Sequence, residues 1–395
     1  MSPIRTLHII DRLDKKLGGS VQATLGVCKY LAQAGQPVEA AGSIGPGDQL
    51  DHLERDFPEF RINQFPRSFP KRYANSAEFA RWLPTVLARY DLVEIHAIFS
   101  AFTLRAAAIC RALGKPYLVR PHGSLDPFDL RKHALLKKII GPTLIRTMLE
   151  GASAILLTAP WEAERLESYG ANVLKVVLPL PVALPAGKGN GSAFRQKHSI
   201  PQDAIVVLFM SRIDYKKGLD FLIPALARLK PDIPQLWFVM AGTGPADFVQ
   251  RVNGWIFDHG LRSFTSEVGF VGGQEKLDAL AAADVFALPS LNENFGIVNI
   301  EAMHAGVPLL ISDEVYICRE IADAGAGRIC KPSIESVTSI LRQMLHGDVD
   351  LRAMGQRGRA LVQRSYRPEA ATATLIKLYA QTADRAIHHA EPGTT

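Results

Sequence analysis

Short apolar runs of strand length alternate with helical stretches along almost the whole chain, and the alternation breaks once, at "LPLPVALPAGKGNGS" (178–192). Before the break the strand-like runs are "TLHII" (6–10), "PVEAAG" (37–42), "LVEIHA" (92–97), "PYLVRPH" (116–122), "SAILLTA" (153–159) and "VLKVVLP" (173–179). Between them, "VQATLGVCKYLAQAG" (21–35), "AEFARWLPTVLARY" (77–90) and "FTLRAAAICRALG" (102–114) repeat apolar residues at three- and four-residue spacing, as an amphipathic helix does. Continuously apolar strands joined by helices imply parallel sheets covered on both faces.

After the break the pattern restarts with "AIVVLFMSR" (204–212), "LWFVMAG" (236–242), "SEVGFVG" (266–272), "VFALPS" (285–290), "VPLLISD" (307–313) and "GRICKP" (327–332). At 395 residues with 47% hydrophobic side chains, the chain exceeds what one compact core usually holds. The fold class expected is therefore α/β, two doubly wound, Rossmann-like parallel-sheet domains facing across a cleft, where ligands of such sheets bind at the carboxyl ends of the strands. The boundaries read from the sequence are a first domain over 1–182, a linker over 183–193, a second domain over 194–367, and a C-terminal helix over 368–395 that packs back toward the first domain.

Charge is divided unevenly. Of 45 Lys and Arg and 39 Asp and Glu, 24 and 17 precede residue 190, leaving 21 and 22 beyond it, so the first half carries +7 and the second −1. A basic half suits an anionic partner such as a membrane surface or a phosphate-bearing substrate, and equally a solvated basic face. No apolar run reaches membrane-spanning length and the N-terminus lacks a secretory pattern, so a cytoplasmic protein is expected. Cys28, Cys110, Cys318 and Cys330 lack the close pair spacing of zinc or redox motifs and read as buried free thiols.

Chemistry concentrates at four strand ends. In "SLNENFGIVNIEAM" (290–303), Glu293 falls in the loop after a strand, Gly296 near a helix start and Glu301 on that helix's second turn. Amides at such a helix start favour an anion, and carboxylates beside a bound phosphate are better suited to accepting hydrogen bonds from sugar or ribose hydroxyls. In "SRIDYKKGLDF" (211–221), Arg212 and Lys217 can reach a diphosphate and Gly218 lets the backbone come close. In "RPHGSLDP" (120–127), His122 closes a strand and can donate to a sugar hydroxyl, with His96 closing the neighbouring strand; Gly18 and Gly19 follow the first strand. Asp348 and Asp350 form an Asp-x-Asp in a polar turn far from any strand end, which suits a helix cap, so no metal is expected.

In spacing and order these pieces resemble the retaining glycosyltransferases of family 4, which have the GT-B architecture. The resemblance runs through "LGGS", "RPHG", "SRIDYKKG", "AGTGP" (241–245), "VGFVG" (268–272) and "PSLNENFGIVNIEAMHAGVPLL". It implies that Glu301 holds the ribose of a nucleotide donor and Glu293 a hydroxyl of the transferred sugar. Arg212 and Lys217 would neutralise the leaving diphosphate, with Asn294, Phe295, Gly296, Ile297 and Val298 presenting backbone to it. His122 would contact the donor sugar, Phe270 and Val271 the base, and Gly18, Gly19 and Gly242 would border the donor. Asn299 stands where the family usually has an apolar residue; it suits a solvent-facing position, and otherwise bears on the packing of that helix.

The resemblance further implies a UDP- or GDP-sugar as substrate, no cofactor, and a saccharide or polyprenyl-diphosphate-linked saccharide acceptor in cell-surface polysaccharide or lipopolysaccharide synthesis. No nucleic-acid partner is expected. "DLRKHALLKKIIGPTLIRTMLEG" (129–151) mixes basic and aliphatic residues in a way that suits either an inner-leaflet contact with anionic lipid or an ordinary helix with a basic face, interrupted at Pro142. Two other functions fit the same pattern. An epimerase or phosphorylase on this fold would turn over without a sugar acceptor, and a non-catalytic nucleotide-sugar binder that regulates a partner enzyme would bind donor without turnover.

Overall fold

A computed structural model of the protein describes residues 3–14, 19–131, 138–347 and 349–390, with side chains described to 385. It divides into two compact units, Met1–Ala183 with Arg367–Thr395, and Leu184–Tyr366.

The first unit is built on seven parallel strands: β1 (Thr6–Arg12), β2 (Val38–Ile44), β3 (Arg61–Pro66), β4 (Leu92–His96), β5 (Tyr117–Arg120), β6 (Ala154–Leu157) and β7 (Lys175–Val177). Their order is β3-β2-β1-β4-β5-β6-β7, so the winding reverses between β1 and β4. β3, "RINQFP", was not expected from the sequence. It is an edge strand whose alternating exposure buries Asn63 and Phe65 while Arg61, Gln64 and Pro66 face out, and Pro66 ends it without leaving a central ladder short of a donor.

The two faces of this sheet differ. Leu7, Ile9, Val93, Ile95 and Val119 form one face and pack in a core with Phe79, Phe102 and Met148 from the helices Ala77–Val86, Ala101–Ala112 and Arg146–Glu150. Alternation along the strands sends His8, Glu94, His96 and Arg120 to the other face. There His8 is in register with Glu94, and His96 with Arg120. The helices Gly19–Gln33 and Pro368–Ala390 pack together beside these strands, so the polar side chains are fully buried.

The second unit repeats the scheme with six parallel strands: β8 (Ile205–Met210), β9 (Leu236–Ala241), β10 (Thr265–Gly269), β11 (Val285–Leu288), β12 (Leu309–Ser312) and β13 (Gly327–Cys330). The order β10-β9-β8-β11-β12-β13 places the reversal between β8 and β11. A helix, Gly191–Lys197, begins inside the stretch read from sequence as linker, with Asn190 capping it by accepting from the Ala193 amide at 3.0 Å. The glycines there serve close packing: a Cβ on Gly189 would lie 2.0 Å from the Leu277 carbonyl oxygen, and one on Gly191 2.4 Å from that of Ala281.

All four cysteines are buried and free. Asp350 caps the helix Leu351–Ser365 by accepting from the Ala353 amide, while Asp348 lies outside the described residues. In the 129–151 stretch, residues 132–137 lie outside the described residues. Beyond them the chain passes through a π turn at Gly141–Ile145 that contains Pro142, whose missing N–H cannot complete regular helical bonding. Ile139 and Leu144 project there at 65% and 53% exposure. Among the described residues no helix is long and apolar enough to cross a membrane.

Candidate functional site

In an open parallel sheet the strand-end loops diverge where the winding reverses, which leaves a crevice for a ligand. In the second unit those loops follow β8 and β11. The loop after β8 runs through Arg212 to a single 3-10 turn, Tyr215–Lys217, capped by the Asp214 carboxylate on the Lys216 amide at 3.1 Å. Gly218 follows at φ +73°, and a Cβ there would stand 2.0 Å from the Pro289 carbonyl oxygen, so only glycine lets the two loops close on each other. The Leu291 amide completes the join by donating to the Lys216 carbonyl at 2.7 Å.

Lys217 Nζ and Glu293 Oε2 form an ion pair across this reversal, both side chains mostly buried. The Glu293 backbone is itself fixed, its N–H donating to the Glu314 carbonyl and its carbonyl accepting from the Tyr316 amide, each at 3.1 Å. Arg212 lies 3.7 Å from Asp214 with about half its side chain exposed, so its guanidinium remains available to an incoming anion.

Gly296, at φ +64°, caps the helix Ile297–Ala305. Phe295 is buried, while Asn294, Ile297 and Val298 are half-buried. Glu301 is buried on the second turn, where Lys276, from the helix Gly273–Ala282, donates to it at 2.7 Å. Around the reversal, Gly242 follows β9 at φ +144°, a conformation open to glycine, with the Ser211 carbonyl oxygen 1.8 Å from where a Cβ would lie. After β10, Phe270 stands 68% exposed beside buried Val271.

Asn299 does not face solvent, which leaves the other possibility the sequence held, that it bears on the packing of its helix. It is fully buried on the helix Ile297–Ala305, and neither its Oδ1 nor its Nδ2 has a hydrogen-bond partner. Helical periodicity explains the placement, since Ile300 and Met303 on the same helix are core residues.

In the first unit, the reversal lies between β1 and β4. Gly19 opens the helix after β1, and Gly18 lies outside the described residues. His122 follows β5 at φ +51°, an uncommon conformation for a residue with a side chain. The next amide, Gly123, donates to Glu162 at 3.2 Å, and Glu162 also accepts from the amide and hydroxyl of Thr158 at 2.6 and 2.7 Å. His122 is the outer member of a row of rings. Its Nε2 lies 3.0 Å from His96 Nδ1, and His96 Nε2 lies 3.0 Å from His8 Nδ1.

Burial holds all three imidazoles below the ordinary histidine value, His8 at about 4 and His122 at about 3, so they are neutral near pH 7. Burial is the largest single influence on Glu94 and pushes it up, but the Arg120 guanidinium, His96, His8 and the Tyr379 hydroxyl together outweigh it and the carboxylate stays ionised. Arg120 Nε donates to Glu94 Oε1 at 2.7 Å and the Tyr379 hydroxyl donates to Oε2. His8, Glu94 and His96 are close enough to share an ion. Their ligand atoms are already committed to one another, to Arg120 and to Tyr379, and a second cation beside Arg120 would be repelled.

Sequence reasoning missed Lys276, Glu94, Arg120 and Tyr379. Lys276 resembles any surface lysine on a helix, and Tyr379 meets Glu94 only because the C-terminal helix returns to the first unit. A hollow lined by Lys188, Asn190, Arg195 and Asp284 opens at the amino end of β8 and β11, away from the strand-end loops, and Arg195 pairs with Asp284 at 3.1 Å within it.

Two family models match the chain, "Glycosyl transferase 4-like domain" over residues 18–181 and "Glycosyl transferases group 1" over 191–361. A phosphatidyl-myo-inositol mannosyltransferase from Mycolicibacterium smegmatis is 36% identical over 131 residues, 33% of each chain. The chain matches less than two thirds of the length of the curated relatives it resembles, 30%, 43% and 33% for three of them. Among solved structures, sucrose-phosphate synthase from Thermosynechococcus elongatus superposes with a TM-score of 0.79 at 20% identity, covering 96% of this chain and 100% of that one. Anabaena Alr3699/HepE in complex with UDP gives 0.77 at 17% identity, with coverage of 96% and 100%. Their likeness is in the fold, two Rossmann-like domains of the GT-B class.

Proposed function

The chain belongs to the group 1 glycosyl transferases, family 4, and from that premise we propose that it is a retaining, metal-independent glycosyltransferase. On this reading it moves a hexosyl unit from a UDP- or GDP-sugar to a hydroxyl of a saccharide acceptor, lipid-linked, in cell-surface polysaccharide or lipopolysaccharide synthesis. The observation that carries the reading is the Lys217–Glu293 pair at the strand-order reversal, beside the amino end of the helix Ile297–Ala305. A UDP complex of Alr3699/HepE and a relative named as a mannosyltransferase agree with a nucleotide-sugar donor.

As the anomeric bond breaks, negative charge grows on the diphosphate and positive charge on the sugar. An ammonium has three N–H donors, so Lys217 can keep its bond to Glu293 and still offer two to phosphate oxygens. Arg212 and the backbone amides at Phe295–Val298 add to that stabilisation, which is greater in the transition state than in the ground state. Glu293, held by Lys217, accepts from a sugar hydroxyl. Glu301, held by Lys276, accepts from the ribose. Gly242, Phe270 and Val271 border the base, and the resemblance assigns Gly18, Gly19 and His122 to the diphosphate and sugar. Retention, as the family resemblance implies, has the acceptor enter on the face the diphosphate leaves, without a covalent glycosyl-enzyme.

The basic first half and the projecting Ile139 and Leu144 suit docking on the anionic inner leaflet from the cytoplasm, where a polyprenyl-linked acceptor would be met. Equal flotation with neutral and anionic liposomes would remove that part of the reading. The central test incubates the purified protein with UDP-, GDP- and ADP-sugars without added metal, beside Glu293→Ala, and measures nucleoside diphosphate release. Release from one donor, lost in the variant, is expected. Binding of a donor with no turnover in the presence of any saccharide acceptor would instead make the protein a regulatory binder.

A further inference from the structure

The row His122–His96–His8 poses a question of hydrogen-bond direction. Each ring is neutral, so each carries one N–H, and two ring-to-ring bonds in series must run the same way along the row. In one direction every ring carries its proton on Nδ1, and His122 offers an Nδ1–H donor at its outer edge. In the other every proton sits on Nε2, His8 donates to the Thr6 hydroxyl 3.4 Å away, and the outer His122 Nδ1 is a bare acceptor. Thr6 suits both directions because a hydroxyl donates and accepts. The described residues give His122 Nδ1 no hydrogen bond of their own.

Glu94 breaks the tie. Its Oε1 lies 3.4 Å from His96 Nε2. A proton on that nitrogen meets the carboxylate with its positive end, whereas a lone pair there would face an anion inside a site where neither group is exposed and charge is poorly screened. Arg120 does not reverse this preference, because its Nε–H is spent on Glu94 Oε1 at 2.7 Å, and neither of its Nη atoms bonds to a histidine. Tyr379 donates to the second Glu94 oxygen, which fixes the plane of the carboxylate.

We infer that Glu94, set in place by Arg120 and Tyr379, fixes all three histidines in the Nε2–H form, so that His122 presents its Nδ1 as a hydrogen-bond acceptor. His96, His8, Glu94 and Tyr379 are then positioning residues. Resting on the transferase reading given above, the inference refines one contact: His122 accepts a hydrogen bond from a hydroxyl of the donor sugar and does not donate one. That reverses the donor role first read for His122 from sequence. Holding the acceptor form before substrate arrives removes a tautomeric choice that would otherwise be made on binding.

The test needs no substrate, so it stands or falls apart from the transferase reading. The full chain is labelled with 15N-histidine, and long-range 1H–15N correlation spectra at neutral pH report which nitrogen of each ring is protonated. Loss of signals in His122→Gln, His96→Gln and His8→Gln assigns them. Protonated Nε2 on all three rings is expected, and an Nδ1–H form at His96 or His122 overturns the inference. Removing both buried charges with Glu94→Gln and Arg120→Met avoids an orphaned cation and is expected to turn the single form of His122 into a mixture. An unchanged single form in that variant would mean that Glu94 does not set the direction.

Discussion

The Tyr379 hydroxyl donates to Glu94 across 285 residues of sequence, so the last helix of the chain completes a buried polar cluster on the first unit's sheet. Both groups are fully buried, and the acceptor is ionised. A hydrogen bond to a charged group is worth about 1.5–3 kcal/mol. Tyr379→Phe removes the hydroxyl and keeps the ring, so the loss should fall in that range. Urea denaturation followed by far-ultraviolet circular dichroism would read it, and an unchanged midpoint would mean the helix is held by its apolar contacts alone.

Acid should weaken the same cluster. His8 takes a proton near pH 6.5 when unfolded but only at about 4 in the fold, because burial penalises the charged ring. Between those values the unfolded chain binds more protons, so stability present above pH 6.5 drains away as pH falls, by about 1.4 kcal/mol per pH unit for each such histidine. His96 shifts the same way. Asp11 and Glu162, pushed up by burial, act in the opposite sense, so a variant isolates the histidine contribution. Urea midpoints from pH 7 to pH 5 should fall less steeply in His8→Gln than in the natural chain; parallel slopes would refute this.

Gly218 joins the two loops that carry Lys217 and Glu293. A side chain there costs about 1–2 kcal/mol for the left-handed backbone, and its Cβ would strike the Pro289 carbonyl 2.0 Å away. Gly218→Ala should therefore separate the loops, lowering both the melting temperature and nucleotide affinity. Calorimetric binding of UDP and GDP to the variant checks this, and retained affinity would show that the loops close without this contact.

Much of this was legible in the sequence because it depends on local pattern. Six strands of the second unit announce themselves as apolar runs, and the break at Asn294–Gly296 marks the helix start that sets Glu301 on its second turn. What was not legible depends on partners distant in the chain. β3 lacks an apolar run because only one of its faces packs, and the glycines at 189 and 191 look like a flexible linker until the helix Gly273–Ala282 is seen against them. Glu94 and His96 sit in "LVEIH", where an apolar context hides that alternate residues meet a polar cluster. Asn299 was open in the sequence because an amide in a helix ordinarily faces water.

That buried amide invites its own test. An unsatisfied polar group in the interior costs about 1–3 kcal/mol. Asn299→Leu keeps nearly the same shape and removes the unpaired groups, so it should stabilise the chain by an amount of that order. A destabilised variant would mean that the carboxamide is satisfied in solution by a water or by substrate, and a simultaneous loss of donor binding would single out the substrate.

Lys276 gives the sharpest separation of binding from chemistry. It is bonded to Glu301 at 2.7 Å and lies on a different helix from any residue assigned to the diphosphate or the transferred sugar. If Glu301 holds the ribose, its contact is made equally in the ground state and the transition state, and such uniform binding affects KM and leaves kcat alone. Lys276→Met leaves Glu301 without its cation and free to swing, and a loss of about 1.4 kcal/mol in positioning corresponds to about tenfold in KM for the donor. Lys217→Met should do the reverse, lowering kcat by about 100-fold or more with a smaller change in KM, because the charge it meets develops as the bond breaks. Steady-state kinetics of the two variants on one donor decide the matter. A fall in kcat with unchanged KM in Lys276→Met would move Glu301 from the ribose to the reacting centre.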